Sequence, residues 1–180
     1  RPGEALVWPY ASLCWRLLGD ARADWLEGED ALVRVVYLAP QLPPLEKLAG
    51  LLRKLHHARS QHLDQSVRGG TQTDGALFAR IEPEIRHLRA AIVGAVADYV
   101  SGLPPRDATH PTIGPRRDQP VRFAGSWSVR LAGKGFHANH IHPAGWISSA
   151  LYVALPERGP DDSPNAGWLA LGSPEAGLGL

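Results

Sequence analysis

The segment Gly125–Pro156, GSWSVRLAGKGFHANHIHPAGWISSALYVALP, constrains this chain most. It sets His137, His140 and His142 in a Trp-containing stretch whose β-branched and aromatic residues read as strand. Side chains two apart on a strand share a face, so His140 and His142 stand on one side, about 7 Å apart along the chain. A local twist or bend would let two such imidazoles converge on one metal ion. His137 is at an odd offset from both and reaches that face only through a bulge.

The rest of the chain is that of an ordinary globular domain. Its 180 residues are 44% hydrophobic and 21% charged, enough for a real core. A net charge of +1 gives no reason to expect a nucleic-acid or membrane partner. No apolar run approaches the roughly 20 residues that cross a bilayer. The single cysteine, Cys14, rules out an intrachain disulfide and fits a cytoplasmic location. The chain lacks methionine and closes on a Gly-rich AGLGL, so it reads as a piece of a longer protein, cut inside a loop.

Residues 5–19 (ALVWPYASLCWRLLG) read as a helix ended by Gly19. Trp15, Leu18 and Gly19 echo the opening of a tetratricopeptide repeat, with Arg22 where that pattern has Tyr. Leu32–Leu38 reads as a strand. After Pro43-Pro44, Leu45, Leu48, Leu52 and Leu55 recur at helical spacing, and His56 and His57 close that helix as cations suited to its C-terminus. Residues 64–75 (DQSVRGGTQTDG) break all periodicity and read as a functional loop. Pro83 opens a helix with the stripe Ile85, Leu88, Ile92, Val96 and Tyr99, and His87 lies on its surface or at the core edge. A Pro-rich loop, 104–120, leads to strands expected over Arg122–Leu131, Phe136–His142, Ile147–Leu155 and Gly167–Leu171. Helices followed by strands indicate an α+β fold, with helices packed on a sandwich or barrel.

Several chemistries lack their residues. No Cys pair or His-Glu-x-x-His supports a zinc site, no G-x-S-x-G marks a nucleophilic serine, and there is no P-loop. A cupin-type site also begins with His-x-His, but Trp146 and Ile147 stand where it needs a glutamate. A non-haem Fe(II) site uses two histidines and a carboxylate on one face of the metal. Here His142 takes the place of the carboxylate. Imidazole still suits Fe(II), and the site is one negative charge short. A histidine cluster without metal is the competing reading.

The pieces SVRGGTQT, GSWSVRL, GFHANHIHPAGWISSALYVALP and GWLALG together resemble a family of bacterial 2-oxoglutarate/Fe(II)-dependent oxygenases of the His-x-His type, often fused to tetratricopeptide repeats. They occur in order across residues 30–175. The resemblance implies a double-stranded β-helix (jelly-roll) core with supporting helices, incomplete at the C-terminus. It implies Fe(II), with 2-oxoglutarate as co-substrate, and hydroxylation of a substrate C–H bond. It makes His140 and His142 metal ligands. Ser128, Arg130 and Tyr152 are placed at the co-substrate pocket by strand alternation, and Trp127 and Trp146 are candidates for its apolar wall. Residues 1–27 become the end of a tetratricopeptide-like region, and 28–180 the N-terminal and central part of the oxygenase domain. The family's distal histidine and its 2-oxoglutarate-binding basic residue have no counterpart by motif, so the expectation is an inactive fragment. The substrate is open, with a protein or peptide suggested by the repeat. A non-catalytic interaction scaffold and a cupin-like metal binder remain the alternatives.

Overall fold

Six regular elements are seen in the computed structural model, which describes residues 4–61, 63, 65–174 and 176–179. They are α1 (Trp8–Leu18), α2 (Arg22–Glu27), α3 (Leu45–Lys54), β1 (Val67–Gln72), α4 (Pro83–Ser101) and β2 (Val129–His137). The helices follow the sequence reading closely. α1 ends where Gly19 enters the left-handed region at φ 63°, and the N–H groups of Gly19 and Asp20 satisfy the carbonyls of Arg16 and Trp15. α3 begins just after Pro44, and α4 begins on Pro83.

The core lies between α3, α4 and the 3-10 turn Leu77–Ala79. Leu48, Leu52, Leu55, Leu77, Ile85 and Leu88 bury against one another, and Val153 packs on them from the extended C-terminal chain. A Lys47–Glu84 ion pair of 2.6 Å ties α3 to α4 at the surface. α1 and α2 pack through Trp8, Trp15 and Trp25, whose ring centroids lie 6.3–6.4 Å apart. Trp25 also meets the buried His110, fixing the helix pair to the Pro-rich loop. His110 donates from Nε2 to the Trp25 carbonyl, and its Nδ1 accepts from the N–H groups of Thr112 and Ile113.

The sheet differs from expectation. Among the described residues it has two strands, β1 and β2, paired antiparallel from Val67↔His137 to Gln72↔Val129. β1 falls in the segment read as a loop. Gly69-Gly70 is a bulge in the ladder, not a break. Gly69 sits at φ 66°, and a Cβ on Gly70 would lie 2.6 Å from the Arg130 carbonyl. The two strands expected over Arg122–Leu131 and Phe136–His142 become one, Val129–His137, in which Ala132–Gly135 bulges opposite Gly69 and the pairing resumes on either side. Leu32–Leu38, Ile147–Leu155 and Gly167–Leu171 are extended or turn-like and find no ladder partner among the described residues. Strand-like composition gives a strand only where a neighbouring backbone accepts its hydrogen bonds. The fold is thus mixed helix and sheet around a small antiparallel ribbon.

Candidate functional site

The β1–β2 ribbon positions two clusters of polar side chains, one near each end. At the His137 end, Ala138 extends the pairing by one hydrogen bond to Ser66 (2.8 Å), and the chain then bends away. The bend carries His140 and His142 out of the ladder and turns their rings toward each other. Their Nε2 atoms lie 3.0 Å apart, with the rings nearly perpendicular at 86°.

The tautomers follow from the partners. His140 Nδ1–H donates to the Ala138 carbonyl at 2.8 Å, and a carbonyl can only accept. The neutral His140 ring therefore has a bare Nε2, which accepts from His142 Nε2–H. His137 stacks on His140 at 5.7 Å and 29°, with its Nδ1 3.0 Å from Ser66 Oγ. The ring of Trp127 lies 5.6 Å from that of His142. Burial, and then the neighbouring His140, lower the pKa of both His137 and His142. Among the described residues, no set of three or more His, Cys, Asp or Glu could hold a metal ion.

At the other end, Thr71 pairs with Arg130. His56, just beyond α3, reaches across both strands. Its Nδ1 is 2.8 Å from Thr71 Oγ1 and its Nε2 is 3.2 Å from Ser128 Oγ. The buried Thr73 accepts the Ser128 N–H at 3.0 Å and donates its own N–H to the Ser128 carbonyl at 3.0 Å. Burial pushes the His56 pKa down, and the positive Arg130 and His57 push it further. His56 is therefore a hydrogen-bonding imidazole of the ribbon rather than a helix-capping cation.

The sequence-derived candidates thus divide. His140 and His142 come into contact, and His137 and Trp127 border them. Arg130 lies about 13 Å along the ribbon from the Val67–His137 pair, by strand rise over the four β1 residues to its partner Thr71, and Ser128, paired with Thr73, lies beyond it. Tyr152 makes no side-chain hydrogen bond or ring contact among the described residues and is 49% exposed. Trp146 donates Nε1–H to the Thr112 carbonyl at 2.7 Å, which ties the extended C-terminal chain to the Pro-rich loop. His56, Thr71 and Thr73 were not among the candidates. Thr71 and Thr73 lie in the segment read as a functional loop, but their grouping with His56 arises from pairing between segments far apart in sequence.

Comparison with known families adds one finding. The model of a family described as "Putative 2OG-Fe(II) oxygenase" matches residues 125–176, a stretch that contains β2, the three clustered histidines and the extended chain beyond them. No curated protein and no solved structure matches the chain. The matched family is named for 2-oxoglutarate and Fe(II), and the match supports an oxygenase-type domain in this part of the chain. No helix among the described residues is long and apolar enough to cross a membrane.

The histidine pair partly fits Fe(II). Two nitrogens each about 2.1 Å from one metal, and at right angles to each other, lie about 3.0 Å apart; a tetrahedral angle would need about 3.4 Å. The observed 3.0 Å is the right-angle spacing. The Nδ1–H to carbonyl bond of His140 is the outer-shell contact that commonly fixes the tautomer of a ligating imidazole. The carboxylate of the usual triad is not supplied by the described residues.

Proposed function

We propose that this chain carries an Fe(II)/2-oxoglutarate-dependent dioxygenase domain that hydroxylates its substrate, with His140 and His142 as adjacent metal ligands. The observation that carries the reading is the 3.0 Å approach of the two Nε2 atoms, one of them left bare by the Ala138 carbonyl. Binding requires that His142 move its proton from Nε2 to Nδ1 and that the two rings turn from facing each other to facing a shared point. Iron and 2-oxoglutarate together would supply the oxygen activation that a C–H hydroxylation needs.

The remaining residues act on the ligands and the pocket. Trp127 shields His142 on one side, and His137 stacks on His140 on another. Ser128 and Arg130 offer a hydroxyl and a cation to a carboxylate of the co-substrate, with His56 orienting the hydroxyl. Tyr152 joins that pocket only if the extended chain closes on the ribbon. With two imidazoles and no carboxylate among the described residues, this chain holds iron weakly and does not turn over on its own.

Anaerobic titration of the chain with Fe(II), with and without 2-oxoglutarate, tests the reading. Binding that 2-oxoglutarate strengthens, and that is lost in both His140→Ala and His142→Ala, is the expected result. Iron affinity unchanged in both variants would remove the pair from the site.

A further inference from the structure

A second polar site lies on the far side of the 3-10 turn, away from the histidines in sequence. Phe78, Ala79, Arg80, Ile81, Arg86 and Arg89 line an open cleft of about 490 Å³. That volume is in the range of ordinary ligand sites, roughly 300–1,000 Å³. The base of the cleft is held firmly. Leu77 and Phe78 N–H groups donate to the Ser126 carbonyl and Oγ at 2.8 and 3.0 Å, and Phe78 meets Phe123 edge-on at 4.6 Å.

Two of the three arginines of the cleft are uncompensated. Arg80 is engaged by Glu82 through Nε at 3.0 Å and Nη2 at 2.5 Å, and Glu84 is taken by Lys47. These acids leave no partner for the Arg86 guanidinium, which makes no hydrogen bond or ion pair among the described residues. Arg89 lies over the Phe123 ring at 5.4 Å and has no carboxylate partner among the described residues. Arg86 and Arg89 are three apart on α4 and so are surface neighbours of like charge. Arg86 also sits in the first turn, where the helix dipole disfavours a cation. Both unfavourable terms disappear when an anion binds.

The rest of the lining is apolar, Phe78, Ala79 and Ile81, and the Ile81 side is open, with 75% of that residue exposed. Arginine forks match carboxylates in two-point geometry, and an apolar lining beside them suits an apolar side chain. We propose that this cleft binds a peptide segment in which acidic residues flank an apolar one. A net charge of +1, with neighbouring acids already paired to neighbouring bases, gives none of the continuous basic surface that a polynucleotide requires.

Fluorescence anisotropy of a labelled peptide, Asp-Glu-Phe-Glu-Asp, titrated with the whole metal-free chain, tests this independently of any iron chemistry. Saturable binding that weakens with added salt, drops at least tenfold in Arg86→Glu/Arg89→Glu and drops less in Arg86→Gln/Arg89→Gln is expected. Circular dichroism and melting of each variant confirm that it is folded. Absence of binding, or equal binding by both variants, overturns the proposal. Displacement of the labelled peptide by pyrophosphate or a short DNA strand at lower concentration than by unlabelled peptide also overturns it, and would assign a small-anion or nucleic-acid site instead.

Discussion

His56 Nε2 lies 3.2 Å from Ser128 Oγ, so the second residue past the end of α3 and the residue that precedes β2 are joined through one imidazole. The same ring holds Thr71 of β1 through its other nitrogen, at 2.8 Å. One side chain thus links the helical core to both strands of the ribbon, and it does so as a neutral group.

That neutrality sets a pH dependence. Burial and Arg130 lower the His56 pKa below its ordinary 6.5, so the unfolded chain binds a proton more readily than the folded one. The stabilisation is fully present above pH 6.5 and is lost as the pH falls toward the lowered folded value. His137 and His142 are shifted in the same direction. Melting temperature should therefore fall between about pH 7.5 and 5.5, and His56→Gln should make that fall shallower while lowering stability at pH 7.5 by roughly 0.5–1.5 kcal/mol for a lost hydrogen bond. Parallel melting profiles for the two proteins would show that His56 is not the titrating link.

How legible this was in the sequence depends on how local each feature is. α1, α3 and α4 follow from apolar spacing, from Pro44 and Pro83, and from Gly19, all of which act within one or two turns. The ribbon was not legible, because Gly69 and Gly70 look like breakers until the Arg130–Gly135 backbone is seen to press against them. Leu32–Leu38 erred in the opposite sense: Val35 is 97% exposed, on an extended chain whose composition promises a strand that pairs with nothing described. The approach of His140 and His142 needs the local bend that the sequence reading made its condition. Strand spacing keeps such rings about 7 Å apart, and it is the bend after β2 that closes their nitrogens to 3.0 Å.

The histidine pair makes a spectroscopic prediction that needs no turnover. Cobalt(II) bound through two imidazoles should give a visible absorption that titrates with metal and vanishes in His140→Ala. Ser66→Ala, which removes only the hydroxyl partner of His137, should leave cobalt affinity within about tenfold, the lower end of an outer-shell effect. A Ser66→Ala loss as large as that of His140→Ala would mean that His137, not the pair alone, carries the metal.

The placement of the core can be checked by truncation. Leu48 is fully buried between α3 and α4, so Leu48→Ala should cost about 2–5 kcal/mol by urea unfolding. Val35→Ala, on the exposed extended segment, should change stability by no more than about 0.5 kcal/mol. Similar losses at the two positions would place Val35 in a packed sheet and relocate the core.

Glycine substitutions separate the ribbon from the helices by sign. A Cβ on Gly135 would lie 2.4 Å from the Gly69 carbonyl and 3.1 Å from those of Arg68 and Ala132, all backbone atoms that cannot rotate aside. Gly135→Ala must push the strands apart at the bulge and should destabilise by about 1–3 kcal/mol. Gly50 lies inside α3 with nothing within 4 Å of its would-be Cβ and with a helical backbone, so Gly50→Ala should stabilise by roughly 0.5–1 kcal/mol through reduced freedom of the unfolded chain. The two shifts, read from one set of unfolding curves, have opposite signs only if β1 and β2 touch backbone to backbone while this face of α3 stays open. A neutral Gly135→Ala would dissolve the ribbon, and with it the bend that aims His140 at His142.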